Sequence, residues 1–281
     1  MQLTLAGMDH GFGDVNIWGA AGVAQAVGIP ATYFGLCALY KSIGWWDGMK
    51  TKKGEHVRNV IAYEFTFGVF CSWFFYYGLV LYYQLHGVDD LYTEPLLSNP
   101  YYGRSVNVVQ NILYPMMWYQ IWNLFFTFWI KDLFVLEQVA HHILTGAIQY
   151  IGFPGFLNYH AYFFIGIVEM SNIPLAIVDL TRYDPDFEKR WPKLYSAMRI
   201  FFVLGFVVTR NILWPLIATP CMIDLYNTIQ EGKAHSVFVV CAFMFATTCL
   251  TYLQLVWGYK IIRMSLGHFF GFGRKKVKKV A

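Results

Sequence analysis

The sequence predicts an all-α membrane protein with about seven transmembrane helices. Hydrophobic residues make up 57% of the chain and charged residues only 14%, while aromatic residues reach 20%, with Trp and Tyr near the ends of the apolar segments. Soluble domains carry roughly a quarter of charged residues, and Trp and Tyr are typical of membrane interfaces. The composition therefore disfavours a water-soluble fold.

Seven apolar segments are candidates for these helices, because spanning a bilayer takes roughly 20 helical residues. They cover residues 16–40, 60–85, 106–130, 136–152, 156–180, 194–219 and 236–262. The fourth segment is the shortest and the most polar. Pro30, Pro115, Pro174 and Pro215 lie within the segments, and we expect kinks there because proline lacks the backbone donor.

The distribution of basic residues predicts the orientation, since short loops that contain Lys and Arg remain in the cytosol. Only Arg104 and Lys233 lie on one predicted side of the membrane. The other side holds Lys41, Lys50, Lys52, Lys53, Arg58, Lys131, Arg182, Lys189, Arg190, Lys193, Arg199 and the basic tail. This predicts a luminal N-terminus and a cytosolic C-terminus. The net charge of +4 is interpreted as a topology signal, and no nucleic-acid partner is expected.

The predicted organisation has three parts. Residues 1–54 form an external N-terminus, the first helix and a basic cytosolic loop; residues 55–264 form a six-helix membrane domain; residues 265–281 form a basic cytosolic tail. Lys278 and Lys279 stand fourth and third from the end and resemble the dilysine retrieval signal of endoplasmic-reticulum membrane proteins, which coat machinery reads. A plain basic anchor is the alternative interpretation.

Polar side chains within the predicted helices mark the candidate site, because a charge at bilayer depth costs about 2.5–3.5 kcal/mol on insertion scales. The fourth segment is richest in them, with Glu137, Gln138, His141, His142, Thr145 and Gln149. Residues four apart share a helix face, so we expect Glu137 to hold the His141 imidazole. The two histidines point about 100° apart, and we expect His142 to lead into the face of Thr145 and Gln149.

This group could supply an acid, a base or a nucleophile to a buried lipid, or the histidines could simply bond a neighbouring helix. Glu169 and Arg210 predict a buried ion pair of either structural or functional kind. The other supporting candidates are Ser171, Asn172 and Asp179. His160 is expected at the membrane interface, and no metal-ligand set assembles from the remaining histidines.

Residues 139–146 (VAHHILTG) resemble the double-histidine signature of the TLC domain, a family that includes ceramide synthases and translocon-associated proteins. Residues 169–174 (EMSNIP) resemble the Glu-x-Ser-x-x-Pro-type segment of the non-ceramide-synthase branch, and residues 252–264 are similar to the aromatic-then-basic end of the domain. The resemblance covers residues 55–264. It implies a barrel-like bundle of helices around a cavity for lipid chains, with the histidines lining that cavity.

The resemblance also implies acyl transfer from acyl-CoA, in which His141 or His142 attacks the thioester or acts as base and the other assists. Acyl-CoA would be a co-substrate, membrane lipids the other partner, and no bound cofactor is expected. On the span after the histidines, ceramide synthases have a pattern similar to His-Asp-x-x-Asp. Residues 166–170 of this chain read GIVEM instead, and this departure argues against ceramide synthesis. The alternative is a non-enzymatic TLC-type protein that binds lipid or cargo and regulates membrane composition or trafficking. A homodimer remains open.

Overall fold

The computed structural model describes residues 20–44, 53–85, 112–152, 160–184, 186–234 and 236–269. All regular secondary structure within these ranges is helical. Five helical stretches in the described part are long and apolar enough to cross a membrane: Gly22–Ser42, Glu55–Tyr83, Tyr162–Tyr183, Pro192–Gln230 and Val237–Leu266. The chain is therefore a multi-pass membrane protein.

The elements follow the predicted segments closely. The α-helices are α1 (Ala20–Ser42), α2 (Lys53–Leu85), α3 (Tyr114–Trp129), α4 (Leu136–Gly152), α5 (Asn172–Tyr183), α6 (Asp186–Arg190), α7 (Pro192–Phe206), α8 (Trp214–Gln230) and α9 (Val237–Phe269). A π-helical and a 3₁₀ segment, Tyr162–Gly166 and Ile167–Ser171, lead into α5, and a second π segment, Val207–Leu213, joins α7 to α8.

The third and fourth predicted spans fall on the two short helices. α3 has 16 described residues and α4 has 17, slightly fewer than the roughly 20 that a span perpendicular to the bilayer requires. Residues 106–111 of the third predicted span lie outside the described residues. The count of seven spans therefore stays a prediction. The sixth predicted span, residues 194–219, lies within a longer helical stretch, Pro192–Gln230.

Pro30 shows how a proline is tolerated inside an apolar helix. It lies in the interior of α1 and cannot donate to the carbonyl of Ala26, one turn earlier. The indole Nε1 of Trp122 on α3 donates to that carbonyl at 3.0 Å instead. Pro115 and Pro215 lie just after π-helical residues, at 112–113 and Val207–Leu213, within continuous helical backbone; the kinks at these two prolines stay a prediction.

The core forms where α2 packs against α5 and against the π and 3₁₀ segments that precede it. Two glycines allow this close approach: a Cβ built at Gly166 would lie 2.5 Å from the Gly78 Cα. α3 packs between α1 and α4, while α9 packs on α4 and α8. Glu169, Arg210 and the face of α4 that carries His141 therefore lie around one common interior.

Candidate functional site

The two irregular helical segments position the charged residues of the site. Glu169 lies on the 3₁₀ segment and Arg210 on the second π segment, and such local departures from α-helical geometry often accompany function. The Val168 carbonyl accepts hydrogen bonds from Arg210 Nη2 at 3.2 Å and from Ser171 Oγ at 3.1 Å. The Val168 carbonyl on the 3₁₀ segment thus helps to anchor the guanidinium.

A mainly apolar cavity of about 60 Å³ lies between α4, α9 and the irregular segments. Its polar lining residues are His141, Thr145, Gln149, His160, Glu169, Arg210, Thr247 and Gln254. The cavity brings together two residue groups that the sequence suggested separately, the face of α4 and the Glu169–Arg210 pair. His160, which was expected at the membrane interface, also lines this cavity and is 9% exposed.

The two histidines of α4 have different surroundings, as their angular separation predicts. His141 lines the cavity, and its ring centroid is 5.4 Å from that of Trp257 on α9. His142 points to α3, where its Nδ1 lies 2.6 Å from Gln120 Oε1. Thr145 and Gln149 follow His141 at intervals of four residues. The expectation that His142 leads into their face was wrong, since they share the side of His141.

Glu137 is bound to α9 rather than to the histidine. Lys260 Nζ donates to Glu137 Oε1 at 3.0 Å, and both side chains are about half exposed. His141 Nδ1 is buried and has no hydrogen-bond partner among the described residues. The expected Glu137–His141 contact is therefore absent among the described residues. The Glu137 carboxylate pairs with the charged ammonium group of Lys260 on α9 instead.

Glu169 and Arg210 form the predicted ion pair, with Glu169 Oε1 3.8 Å from Arg210 Nη2. Only 4% of the Arg210 side chain is exposed. Arg210 Nε also donates to Ser171 Oγ at 3.0 Å, and Nη1 donates to Gln254 Oε1 at 3.3 Å. These hydrogen bonds offset part of the cost of burying the cation. Gln254 was not predicted, because its only signal in the sequence is one amide side chain within an apolar helix.

The second carboxylate oxygen of Glu169 is also occupied. Oε2 accepts from Asn172 Nδ2 at 2.7 Å and from Cys71 Sγ at 3.2 Å, and the Cys71 thiol lies 3.1 Å from the Tyr119 hydroxyl. Ser171 and Asn172 thus hold the ion pair. Asp179 does not line the cavity; its carboxylate lies 3.9 Å from Arg182.

Several buried polar atoms at the cavity have no hydrogen-bond partner in the described part of the chain. They are His141 Nδ1, Gln149 Oε1 and Nε2, and Thr247 Oγ1. Gln149 is 1% exposed and Thr247 3%. An unsatisfied buried donor or acceptor costs about 1–3 kcal/mol. These groups are therefore free to bind the polar part of a ligand. Thr247 was not predicted, because one threonine in an apolar helix is unremarkable in sequence.

Within the described residues, no group of three or more His, Cys, Asp and Glu side chains is arranged to hold a metal ion. Lys278 and Lys279 lie outside the described residues, so the retrieval signal stays a prediction.

Comparison with known proteins identifies the family. No curated protein and no solved structure matches the chain. The family model of the TLC domain (TRAM/LAG1/CLN8) matches residues 18–263. This range contains α1 to α8 and nearly all of α9, together with every polar residue that lines the cavity. It also begins before the region 55–264 that carries the sequence resemblance, and so includes the first helix. The chain therefore belongs to the TLC-domain family.

Proposed function

We propose that this TLC-domain protein binds the polar part of a membrane lipid in the cavity between α4 and α9, and that it thereby regulates membrane lipid composition without catalysis. The observation that carries this proposal is the set of unpartnered polar atoms on His141, Gln149 and Thr247. They lie in an otherwise apolar cavity of a multi-pass membrane protein, where a lipid is the most abundant source of a polar group attached to an apolar chain.

The size of the cavity defines which part of the lipid it holds. On the scale where one water needs roughly 10–15 Å³, a volume of about 60 Å³ accommodates a group of a few heavy atoms. A whole lipid does not fit. The acyl chain would therefore leave the cavity between helices, while its polar group occupies the space beside Gln149 and His141. We thus propose a narrower site than the barrel-like lipid cavity that the family resemblance implies.

Native mass spectrometry of the purified protein tests lipid binding. We expect a lipid adduct on the wild-type protein and an occupancy about two- to tenfold lower in Gln149→Leu, because a net hydrogen bond contributes roughly 0.5–1.5 kcal/mol. Gln138→Leu is the matched control, since Gln138 is an exposed residue of the same helix. Equal lipid occupancy in the two variants would contradict the proposal.

Acyl transfer from acyl-CoA is the second candidate function, and the position of His141 in the cavity wall favours it. In that reaction an imidazole nitrogen of His141 would attack the thioester carbonyl, the CoA thiolate would leave, and the acyl group would pass to a lipid acceptor as the imidazole is regenerated. His142 is not assigned the attack, because it is not among the residues that line the cavity; Gln120 binds its ring on the side of α3. No described residue orients His141 through its Nδ1, which makes this candidate the weaker one.

Labelled acyl-CoA separates the two functions. Catalysis predicts transfer of the label to a lipid acceptor by wild-type protein and loss of transfer in His141→Ala. Binding alone predicts no transfer by either protein, with lipid still present on the wild type. Transfer that persists in His141→Ala would exclude this histidine as the nucleophile.

The proposal for the cell keeps the predicted topology: seven spans, with α3 and α4 as the two short ones, a luminal N-terminus and a cytosolic C-terminus in the endoplasmic reticulum. Lys278 and Lys279 would then be accessible to coat machinery. The branch of the family, the use of acyl-CoA and a homodimeric assembly remain predictions.

A further inference from the structure

The charged groups at the cavity compensate one another, whereas the unpartnered groups are uncharged. We infer that the lipid bound there has an uncharged polar group that carries a hydroxyl donor together with the carbonyl acceptor of an ester or an amide. This inference rests on the proposed lipid binding and adds the chemical class of the ligand.

The charge balance comes from Arg210 and Glu169. Arg210 donates to Ser171, Gln254 and the Val168 carbonyl, and its counter-ion Glu169 lies 3.8 Å away. Neither charge needs a ligand to neutralise it. An anionic lipid group would face the Glu169 carboxylate, and a cationic group would face the Arg210 guanidinium. Since a buried charge without its own partner is strongly unfavourable, the balanced pair disfavours both.

The unpartnered groups determine what the ligand must offer. The Gln149 amide supplies two N–H donors and one carbonyl acceptor, the Thr247 hydroxyl both donates and accepts, and an imidazole nitrogen does one or the other according to its tautomer. They come from two walls, because Gln149 and His141 lie on α4 and Thr247 lies on α9. A hydrocarbon end leaves all of them unsatisfied. A group with a hydroxyl and a carbonyl can satisfy both walls together.

A competition experiment tests the class of ligand with four compounds of one chain length. Full-length protein, stripped of lipid in detergent, binds labelled monoolein, and unlabelled monoolein, oleate, oleylamine or octadecene competes at an alkaline pH that keeps the carboxylate ionised. We expect monoolein to compete at least about tenfold better than the other three, the equivalent of one or two hydrogen bonds.

Competition by oleate, oleylamine or octadecene as strong as that of monoolein overturns the inference but leaves lipid binding intact. Failure of labelled monoolein to bind, when a lipid adduct is present on the untreated protein, also overturns it. Failure of labelled monoolein to bind, with no lipid adduct on the untreated protein either, refutes the proposed function itself.

A pair of adjacent threonines provides matched variants. Thr247→Val removes the unpartnered hydroxyl at nearly constant shape, and we expect monoolein binding to weaken about two- to tenfold. Thr248→Val is the control: Thr248 is exposed, and its hydroxyl donates to the Met244 carbonyl of its own helix. Unchanged folding, measured as the thermal midpoint, makes the comparison valid for both variants. Equal affinity for monoolein in the two variants overturns the inference.

Discussion

The contact between Gly78 and Gly166 leaves no room for a methyl group, so Gly166→Ala should destabilise the bundle. The added Cβ would lie 2.5 Å from the Gly78 Cα and 3.1 Å from the Phe74 carbonyl oxygen. Carbon atoms pack at about 3.5–4.0 Å, so α2 and the π segment would have to separate by roughly 1 Å. Both obstacles are backbone atoms, which cannot rotate away as a side chain can.

The expected cost follows from two opposing effects. Overpacking of a buried contact costs about 1–3 kcal/mol or more, while Ala in a helix gains up to roughly 1 kcal/mol over Gly. We expect a net loss of about 1–2 kcal/mol, which lowers the thermal midpoint by roughly 2–8 °C for a protein of this size. The displacement should also weaken lipid binding, because Glu169 follows Gly166 on the adjoining 3₁₀ segment.

Thermal unfolding in detergent, followed by fluorescence and by size exclusion, measures this loss. Gly35→Ala is the matched control, because a Cβ there meets no atom of the described residues within 4 Å; its midpoint should stay unchanged or rise slightly. If Gly166→Ala unfolds at or above the wild-type temperature, the close approach of the two glycines is not a feature of the folded protein, and the reasoning fails.

Two further predictions concern contacts that connect the helices. Trp122→Phe leaves the Ala26 carbonyl unsatisfied beside the proline of α1, so the free energy of unfolding should fall by about 1–3 kcal/mol. Trp129→Phe, at an exposed position, is the control and should cost much less. Equal losses of stability in the two variants would argue against the indole hydrogen bond. Lys260→Met should cost at most about 1 kcal/mol, because its pair with Glu137 is half exposed; a midpoint shift as large as that of Trp122→Phe would contradict this.

The roles of the histidines illustrate what periodicity can and cannot predict. The adjacent positions of His141 and His142 require that the rings diverge by about 100°, and the structure confirms separate surroundings. The period does not tell which ring meets the cavity. Gln120 on α3 and Trp257 on α9 decide this, and each is remote from the histidines in sequence. The Glu137–Lys260 pair could not be predicted for the same reason, because the two residues are far apart in sequence.

The sequence by itself determined the membrane character, the approximate helices, the family and the polar residues worth examining. These properties depend on composition, on the length of apolar segments and on short motifs, all of which are local. Only the tertiary structure decided that Gln149 and Thr247 face one cavity with His141, and that Ser171 and Gln254 hold Arg210. The physical reason is that helix rotation and partner choice result from packing between segments far apart in the chain, where buried polar groups must find their partners.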